Sequence, residues 1–325
     1  KKVESGILLV TAKNIKQGYL DYSASQEFIE ESAFDDVMRR GKVELNDVLI
    51  TTEAPLGNVA SVDRTDIALA QRVIKYRGKI DLLDNLFLKQ KFLSESFQEI
   101  LKSKATGGTV QGIKGSVLHQ IPLIVPSKQE QTKIANFLSA VDEKISQLSQ
   151  KHQLLSQYKQ GMMQKLFSQQ IRFKADDKSE FGEWEEKELK DIVEINPKSK
   201  KLPESFIYID LESVEKGQLL LQKNIELQDA PSRAQRLLAK GDVLFQMVRP
   251  YQQNNYYFNL SGEYVASTGY AQIRTKLDSK FIYYALHEKT FLDEVMNRCT
   301  GTSYPTINSS DLSSIEILIP CLEEQ

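Results

Sequence analysis

The sequence predicts an α+β protein made of two duplicated domains joined by a long helical spacer that is able to form a coiled coil. Three observations predict this fold. Short segments recur in the same order about 195 residues later, each copy runs from β-rich segments into a helical pattern, and an uninterrupted helical pattern separates the copies. At 325 residues the chain is long enough for two domains, each with its own core.

The repeated segments keep their order over more than 100 residues, with a shift that changes by only a few residues. Insertions in loops produce such small changes, whereas chance similarity would not stay collinear. The chain is therefore predicted to contain a duplicated domain. The matching segments are Asn14–Leu20 with Ser213–Leu219, Asn46–Ile50 with Gly241–Phe245, Thr106–Ile113 with Thr300–Ile307, and Leu118–Pro126 with Leu312–Pro320.

Each copy shows the same order of predicted elements. Short runs rich in β-branched and aromatic residues are bounded by Gly, Pro and Asn, which predicts strands. Apolar residues then recur at steps of three and four, which predicts a helix. A buried strand is expected next, ending at Pro126 in copy one and at Pro320 in copy two. The predicted strands are Val48–Thr51, Val59–Val62, Val243–Phe245 and Tyr264–Ser267, and the helical patterns run from Leu83 to Ile100 and from Phe281 to Met296.

Between the copies, from about Lys128 to Ser168, apolar residues alternate steps of four and three without a proline. This spacing is typical of a helix that packs along another helix. About 40 residues at 1.5 Å each make a rod of about 60 Å. Its apolar stripe needs a partner that covers it. The candidate packing residues are Ile134, Leu138, Val141, Ile145, Leu148, Leu155 and Leu166.

The duplication also predicts the domain boundaries and whether each end of the sequence is truncated. An equivalent helix is expected to begin at the end of copy two, and Trp184–Ile192 has no counterpart before Lys1. Both ends are therefore expected to be truncated. The predicted parts are residues 1–126 for target recognition domain 1, 127–182 for the central helical spacer, 183–320 for target recognition domain 2, and 321–325 for the start of a second spacer helix.

Composition excludes several classes of protein. No run approaches the 18 to 20 apolar residues of a membrane span, so no membrane partner is expected. The two cysteines, Cys299 and Cys321, form no disulfide framework, which favours the cytoplasm. The three histidines are too far apart for a structural zinc site. A net charge of −2 argues against a free-standing nucleic-acid binder, but is compatible with a DNA-reading subunit in a complex.

Catalytic motifs are incomplete. Gly107–Gly112 has the GxxxxG spacing of a phosphate-binding loop, but Ile113 stands where the motif needs lysine. Asn196–Ser199 resembles the Asn-Pro-Pro-Tyr motif of amino-methyltransferases, yet it lacks the second proline and the stacking ring. The acidic pairs Asp35-Asp36 and Glu185-Glu186 are interpreted as solvated charges. We therefore expect no catalytic residue, no metal site and no cofactor in this chain.

A run of aromatic and amide residues follows a predicted strand of copy two, at Met247–Asn259. Asn and Gln side chains can hydrogen-bond bidentately to adenine, and Arg does the equivalent at guanine. This composition favours a loop that reads DNA bases. The alternative is a twisted strand pair with exposed tyrosines. The candidates are Arg249, Tyr251, Gln252, Gln253, Asn254, Asn255 and Tyr256.

The Thr-Gly loops, Lys104–Lys114 and Arg298–Asn308, offer hydroxyl groups, backbone N–H groups and a nearby cation, which suit phosphate contacts. The alternative is a plain turn repeated with the scaffold. In copy one the segment Thr51–Asn58 stands where copy two has its aromatic run, as expected if two related modules read different sequences. The further DNA-binding candidates are Thr302, Ser303, Tyr304, Thr52, Asn58, Arg72, Thr109, Gln111 and Lys114.

The order of these features resembles the specificity subunit of type I restriction–modification systems, over essentially the whole chain. The resemblance rests on the duplicated domain, the Asn/Gly-Asp-Val-Leu segments, the Thr-Gly loops, and the strand-Pro-Glu-Gln entry into a long helix. It also rests on the junction after the spacer. That junction comprises Gln164–Ser168, Ile171–Phe173 and Glu180–Trp184.

The resemblance implies a host-defence protein that reads a bipartite double-stranded DNA sequence, one half with each target recognition domain. It implies that the helices between the domains fix the gap and dock two methyltransferase subunits, which modify adenine with S-adenosylmethionine. Two restriction subunits using ATP and Mg would complete the complex. Two other hypotheses stay open: a coiled-coil scaffold whose domains bind proteins, and a remnant of a fused nuclease–methyltransferase.

Overall fold

The computed structural model describes residues 2–198 and 201–325, so Ser199 of the Asn196–Ser199 motif lies outside the described residues. The chain forms two compact units, unit 1 through His152 and unit 2 from Gln153. Both units mix strands and helices, so the predicted α+β class is confirmed. Within the described ranges, no helix combines the length and the apolar character that crossing a membrane requires.

Unit 1 begins with a mainly β region and ends in helices. Its apolar core is made by strand residues and by one face of the helices that follow them, including Leu49, Ile50, Phe92 and Leu101. The strands are β1 (Lys2–Val3), β2 (Ile7–Val10), β3 (Phe28–Ile29), β4 (Val48–Thr52), β5 (Leu56–Ser61), β6 (Ile67–Leu69) and β7 (Val73–Tyr76). The helices are α1 (Phe34–Val37), α2 (Asn85–Leu93), α3 (Glu95–Ser103), α4 (Gly115–Leu118) and α5 (Lys128–Phe167).

Unit 2 repeats this plan with additional strands. Its strands are β8 (Glu185–Glu188), β9 (Val193–Ile195), β10 (Ser205–Ile209), β11 (Val214–Glu215), β12 (Gln218–Leu219), β13 (Lys223–Glu226), β14 (Ala234–Leu237), β15 (Val243–Gln246), β16 (Tyr256–Tyr257), β17 (Tyr264–Ser267), β18 (Tyr270–Thr275) and β19 (Glu316–Ile319). Its helices are α6 (Leu189–Ile192), α7 (Ser279–Ala285), α8 (Lys289–Arg298) and α9 (Ser309–Ser313).

The sheets of the two units correspond. In unit 1, β2 pairs parallel with β6 and antiparallel with β3, as β10 of unit 2 pairs with β17 and β13. The second sheet has the order β5-β4-β7 in unit 1 and β16-β15-β18-β9 in unit 2. The predicted duplication is therefore a duplication of topology as well as of sequence.

A buried ion pair recurs at the start of the central strand of this second sheet. Asp47 is fully buried and accepts hydrogen bonds from Nε and Nη2 of Arg77, at 2.6 and 2.7 Å. Asp242 and Arg274 form the same pair at 2.7 Å. Burial alone would raise the pKa of Asp47, but hydrogen bonds from Arg77 and from the Glu44 backbone N–H hold it below its ordinary value. The repeated Asn/Gly-Asp-Val-Leu segments thus contain a structural carboxylate.

A glutamine near the end of each copy, buried at Gln131 and half-buried at Gln325, connects that segment to the first helix of the helical pattern. The amide of Gln131 accepts from the N–H of Asp84, the N-cap of α2, and donates to the Pro126 carbonyl. Gln325 makes the same two bonds with Asp278 and Pro320. This contact explains the repeated glutamine of the Glu-Gln pair, because an amide shielded from water needs both partners.

The helical pattern in each copy is divided between two helices. In unit 1 the N-cap Ser94 separates α2 from α3, and in unit 2 Leu286–Glu288 separates α7 from α8. Both Ser94 and Glu288 accept a hydrogen bond from a backbone N–H of the next helix. A new N-cap ends the preceding helix because it adopts an extended backbone.

One predicted strand is wrong. The segment ending at Pro320 is β19, paired with β8, but residues 121–126 form no strand in unit 1. A strand needs a partner for its backbone groups, and no described segment supplies one there.

The spacer helix is present as predicted. Helix α5 is continuous over 40 residues, and the division between the units falls inside it, between His152 and Gln153. Its end packs in unit 2, where the ring of Phe167 contacts Trp184 and Phe281. In unit 1 its start is held by buried Gln131 and Ala135.

Candidate nucleic-acid interface

The candidate interface of unit 2 is built around the post-strand loop, Met247–Asn255, which follows β15. Two of its residues, Arg249 and Gln253, have left-handed backbone conformations, with φ of 53° and 51°. A single 3-10 turn, Pro250–Gln252, lies between them. Left-handed conformations are unfavourable for residues other than glycine, so the surrounding structure has to hold this loop.

Hydrogen bonds of buried amide side chains support the post-strand loop. The side chains of Gln246 and Asn255 are both buried. Asn255 Oδ1 accepts from the Gln246 N–H at 2.8 Å, and Gln246 Oε1 accepts from the Asn254 N–H at 3.0 Å. Gln246 Nε2 donates to Gln252 Oε1 at 2.9 Å. These amides are therefore engaged within the protein.

His287 completes the support of the post-strand loop. Its Nδ1 lies 2.7 Å from the Tyr283 carbonyl, so Nδ1–H donates there and Nε2 is left as an acceptor, 3.5 Å from the Asn255 amide nitrogen. The His287 carbonyl accepts from Gln253 Nε2. Burial lowers the pKa of His287, which favours the neutral ring that this arrangement requires.

The Thr-Gly loop of unit 2 lies against the post-strand loop. Thr300 and Thr306 exchange two backbone hydrogen bonds of 2.9 Å, which close the turn between them. The Arg249 N–H donates to the Pro305 carbonyl at 2.8 Å, and the Arg249 guanidinium lies 4.2 Å from the centre of the Tyr304 ring. The structure thus brings together the two loops that were predicted separately.

This pair of loops exposes a polar and aromatic surface. Tyr304 is 63% exposed and Tyr251 is 51% exposed, while Arg249 is half-buried with its guanidinium over the Tyr304 ring. Thr302 and Ser303 are exposed at the tip of the Thr-Gly loop. Tyr256 is half-buried, and its ring packs edge-on against Phe258. Arg249, Tyr251 and Tyr304 are therefore the candidates whose side chains are placed to meet a ligand.

Unit 1 has the same two loops with different side chains. Thr106 and Gly112 exchange two backbone hydrogen bonds, and the Ile113 N–H donates to the Thr52 carbonyl at 2.9 Å, as Ile307 does to Met247. Ala54 is left-handed, with φ of 50°, at the position that Arg249 occupies in unit 2. The left-handed position is repeated while its side chain changes, and the peptide bond that follows is cis at Ala54–Pro55 but not at Arg249–Pro250. An open groove between these loops is lined by Ala54, Pro55, Leu56, Lys102, Thr109 and Gln111.

The candidates of unit 1 divide into engaged and exposed side chains. Asn58 Nδ2 donates to the Ile15 carbonyl at 2.7 Å, and the Thr52 hydroxyl donates to the Arg72 carbonyl. The Arg72 guanidinium pairs with the Glu53 carboxylate at 2.5 Å, so its charge is compensated. Arg72 is exposed despite this ion pair, and the other exposed candidates are Thr109, Gln111 and Lys114.

Sequence reasoning missed a third contributor, the tip of a hairpin. In unit 2 the Lys216 N–H donates to Asn254 Oδ1 at 3.0 Å, so the exposed Lys216 side chain starts beside the post-strand loop. Gly217 has φ of 77°, and a Cβ there would lie 2.5 Å from the Tyr283 hydroxyl. In unit 1, Gln17 Nε2 donates to Asn58 Oδ1. The repeated Gln-Gly and Lys-Gly dipeptides were the available signal.

The predicted packing face of α5 is largely uncovered along its middle. Val141, Ile145, Leu148 and Leu155 are exposed, the last three by more than half. Ile134, Leu138 and Leu166 are half-buried. Nothing tests whether another helix packs on this face, so its role stays a prediction.

Comparisons with known proteins match both halves of the chain to the same protein family. Residues 21–157 and 182–325 match the family described as the type I restriction modification DNA specificity domain. The chain is 26% identical to the type I restriction enzyme MjaVIII specificity subunit of Methanocaldococcus jannaschii, over 95% of this chain and 77% of that protein. It is 24% identical to the EcoDI specificity subunit of Escherichia coli, over 77% of this chain and 65% of that protein.

Solved structures show the same fold. The type I restriction–modification S subunit from M. genitalium superposes with a TM-score of 0.61 at 17% identity, covering 98% of this chain and 78% of that one. A chain from a structure on complex assembly and conformational transition of the type I system gives a TM-score of 0.51, also at 17% identity. It covers 98% of this chain and 80% of that one.

Proposed function

Because this chain belongs to the family of type I restriction modification DNA specificity domains, matched in both of its halves, we propose that each unit reads one half of a bipartite DNA target. We propose residues 1–126 and 183–320, the boundaries expected from the sequence, for the two reading domains. The alternative of a protein-binding scaffold without DNA specificity is not favoured, since both matched regions are DNA specificity domains.

The observation that supports separate half-sites is the exchange of Arg249 for Ala54 at matching left-handed positions. A guanidinium can donate bidentately to the O6 and N7 atoms of guanine, whereas a methyl group offers only apolar contact. Two units with one scaffold and different side chains at this position would read different bases.

We assign distinct roles to the candidate residues. Arg249, Tyr251 and Tyr304 would contact DNA in unit 2, with Thr302, Ser303 and Lys216 near the phosphates. Thr109, Gln111 and Lys114 would do so in unit 1. Asn254, Asn255, Gln252 and Asn58 are positioning residues, because their amides hold the loops.

The chain would act as the non-catalytic subunit of a larger complex in the cytoplasm. Two methyltransferase subunits with S-adenosylmethionine and two restriction subunits with ATP and Mg are the proposed partners, and helix α5 would dock them. The exposed face of α5 supports this role, since an apolar stripe in water is stabilised by a covering surface.

The test is to map N6-methyladenine after co-expressing the chain with a type I methyltransferase subunit. We expect a single split motif that disappears when the chain is omitted. Arg249→Ala should relax recognition in one half-site by about 1–3 kcal/mol of base discrimination and leave the other unchanged. Arg233→Ala removes an exposed arginine of the same unit outside both loops and serves as the control.

Two outcomes would contradict the proposal. Methylation that does not depend on this chain would remove its role in specificity. Equal loss of discrimination in both half-sites of Arg249→Ala would mean that the units do not read separately.

A further inference from the structure

The two units carry an arginine on different segments of the same scaffold. In unit 1 the Thr52 N–H donates to the Arg72 carbonyl at 3.0 Å, and in unit 2 the Met247 N–H donates to the Gly269 carbonyl at 3.0 Å. Arg72 and Gly269 therefore occupy matching positions, each as the last residue before β7 or β18. Unit 2 has its arginine, Arg249, in the post-strand loop, and unit 1 has its arginine in the turn before β7.

Packing explains why unit 2 has no side chain at this turn. A Cβ at Gly269 would lie 3.0 Å from the Leu211 side chain, so a larger residue would displace that leucine. Leu211 is the second residue after β10, and Ala12 is the second residue after the matching strand β2. Unit 1 thus has a methyl group in place of the leucine, and its turn carries Arg72, whose side chain is 60% exposed.

A carboxylate of the segment after β4 holds the Arg72 guanidinium. Glu53 Oε1 lies 2.5 Å from Arg72 Nε, so the carboxylate approaches the Nε side of the group. In the described part of the chain, the two Nη groups of Arg72 make no hydrogen bond. A guanidinium has five N–H donors, so the Nη groups can still donate to a ligand while Glu53 holds Nε.

The Thr-Gly loop of unit 1 leaves room for this carboxylate. Glu53 and Gly112 form a β-bridge, and a Cβ at Gly112 would lie 3.2 Å from Glu53 Oε2. The matching bridge of unit 2 joins Val248 and Thr306. Three segments of unit 1 are therefore adapted to one ion pair, which Val248 and Gly269 cannot form in unit 2.

We propose that Arg72 reads a guanine in the half-site of unit 1 and that Glu53 is the positioning residue that orients its guanidinium. This inference rests on the proposed function and adds the base and the residue pair that recognises it. The two Nη groups donate to O6 and N7 of guanine, a bidentate contact that suits the planar guanidinium. The ion pair restricts a long exposed side chain before DNA binds, so less conformational entropy is lost on binding.

The test uses the full chain with a type I methyltransferase subunit and the split motif mapped by N6-methyladenine. Arg72→Ala should make one guanine-containing base pair degenerate, in the half-site that Arg249→Ala leaves unchanged. On duplexes in which only that base pair is replaced, discrimination should fall by at least about fivefold. Arg72→Gln, which keeps a polar side chain at the turn, should lose the guanine preference as well. Arg40→Ala, on an exposed arginine between α1 and β4, is the matched control and should leave the motif unchanged.

Glu53→Gln tests the positioning role, because the amide keeps the size of the side chain and loses its charge. Discrimination at the same base pair should fall by about threefold, the effect of one exposed ion pair, while affinity for non-specific DNA should not fall because a negative charge is removed. The double variant Glu53→Gln/Arg72→Ala should discriminate as Arg72→Ala does, since Glu53 acts through Arg72. Glu99→Gln, on an exposed carboxylate of α3, is the control.

Four outcomes would overturn the inference and leave the proposed function standing. They are a half-site of unit 1 without a guanine, an unchanged motif in Arg72→Ala, an effect of Glu53→Gln at a different base pair, and additive effects in the double variant. Methylation that does not depend on this chain would contradict the proposed function and, with it, this inference.

Discussion

His287 lies beneath the post-strand loop of unit 2. Its protonation state affects the hydrogen bonds that support this loop. Burial disfavours the protonated ring, so the pKa of His287 is lower in the folded protein than in the unfolded chain. The neutral ring accepts from Asn255, and Asn255 in turn accepts from Gln246. One titrating residue thus supports the backbone that presents Arg249.

The first prediction is a loss of stability at acid pH that involves His287. The folded pKa is depressed, so its contribution is fully present above the unfolded pKa of about 6.5 and is lost as pH falls below that value. We expect the free energy of unfolding, measured by urea denaturation, to fall less steeply below pH 6.5 in His287→Gln. His119→Gln keeps His287 and is the control. An identical slope in His287→Gln and the parent would contradict the prediction.

The second prediction concerns the buried carboxylate of unit 2. Arg274→Ala leaves Asp242 buried without its bidentate partner, which is unfavourable because a buried charge is poorly solvated. Since the Arg274 side chain is 39% exposed, water can partly replace it, and we expect a loss of about 2 kcal/mol. Urea denaturation measures it, with Arg233→Ala as the control. A loss no larger than that of the control would show that water replaces Arg274 completely.

At the scale of elements, helix α5 combines a buried start, a packed end and an exposed middle. Gln131 is held by Asp84 and Pro126, and Phe167 packs on Trp184 and Phe281. Lys159 also lies over the Tyr284 ring, 5.1 Å from its centre. Between these two packed ends, the apolar stripe of α5 is exposed, so a partner can pack against it.

The third prediction tests that stripe. Replacing Ile145 and Leu148 together with lysine should strongly reduce co-purification of a type I methyltransferase subunit. The melting temperature should stay unchanged, because both side chains are more than half exposed. Gln150→Lys adds a charge at an exposed polar position of the same helix and is the control. Unchanged co-purification of the double variant would remove the docking role of this stripe.

Residues 121–126 show that the apolar pattern of a segment is not enough to predict a strand. Their apolar sequence matches β19, yet they form no strand because the pairing segment is not among the described residues of unit 1. A strand is defined by its neighbour as much as by its own residues. Helices α2 and α3 were easier to predict, since their hydrogen bonds lie within each helix.

At the scale of the whole molecule, the proposed function would make the gap between half-sites a property of the length of helix α5. An insertion of seven residues between Gln150 and Lys151 keeps the apolar stripe in phase and adds about 10 Å, because each residue rises 1.5 Å. This site avoids the packed ends of α5.

The fourth prediction is that this insertion widens the methylated motif by about three base pairs, since B-DNA rises 3.4 Å per base pair, while both half-sites stay the same. Mapping of N6-methyladenine measures the gap. Replacement of Ser149–Lys151 by three alanines, without added length, is the control. An unchanged gap in the lengthened chain would exclude the helix as a ruler.

Sequence alone determined the α+β class, the duplication, the long helix and the family. Repeats and apolar periodicity are local patterns that need no knowledge of contacts. It also located both loops of the candidate interface. Only the tertiary structure decided that the buried Asn255 and the half-buried Asn58 are supports of the loops, while Tyr251 and Tyr304 are exposed. The partners that engage those amides, such as His287 and Ile15, lie 32 and 43 residues away, where no sequence pattern points to them.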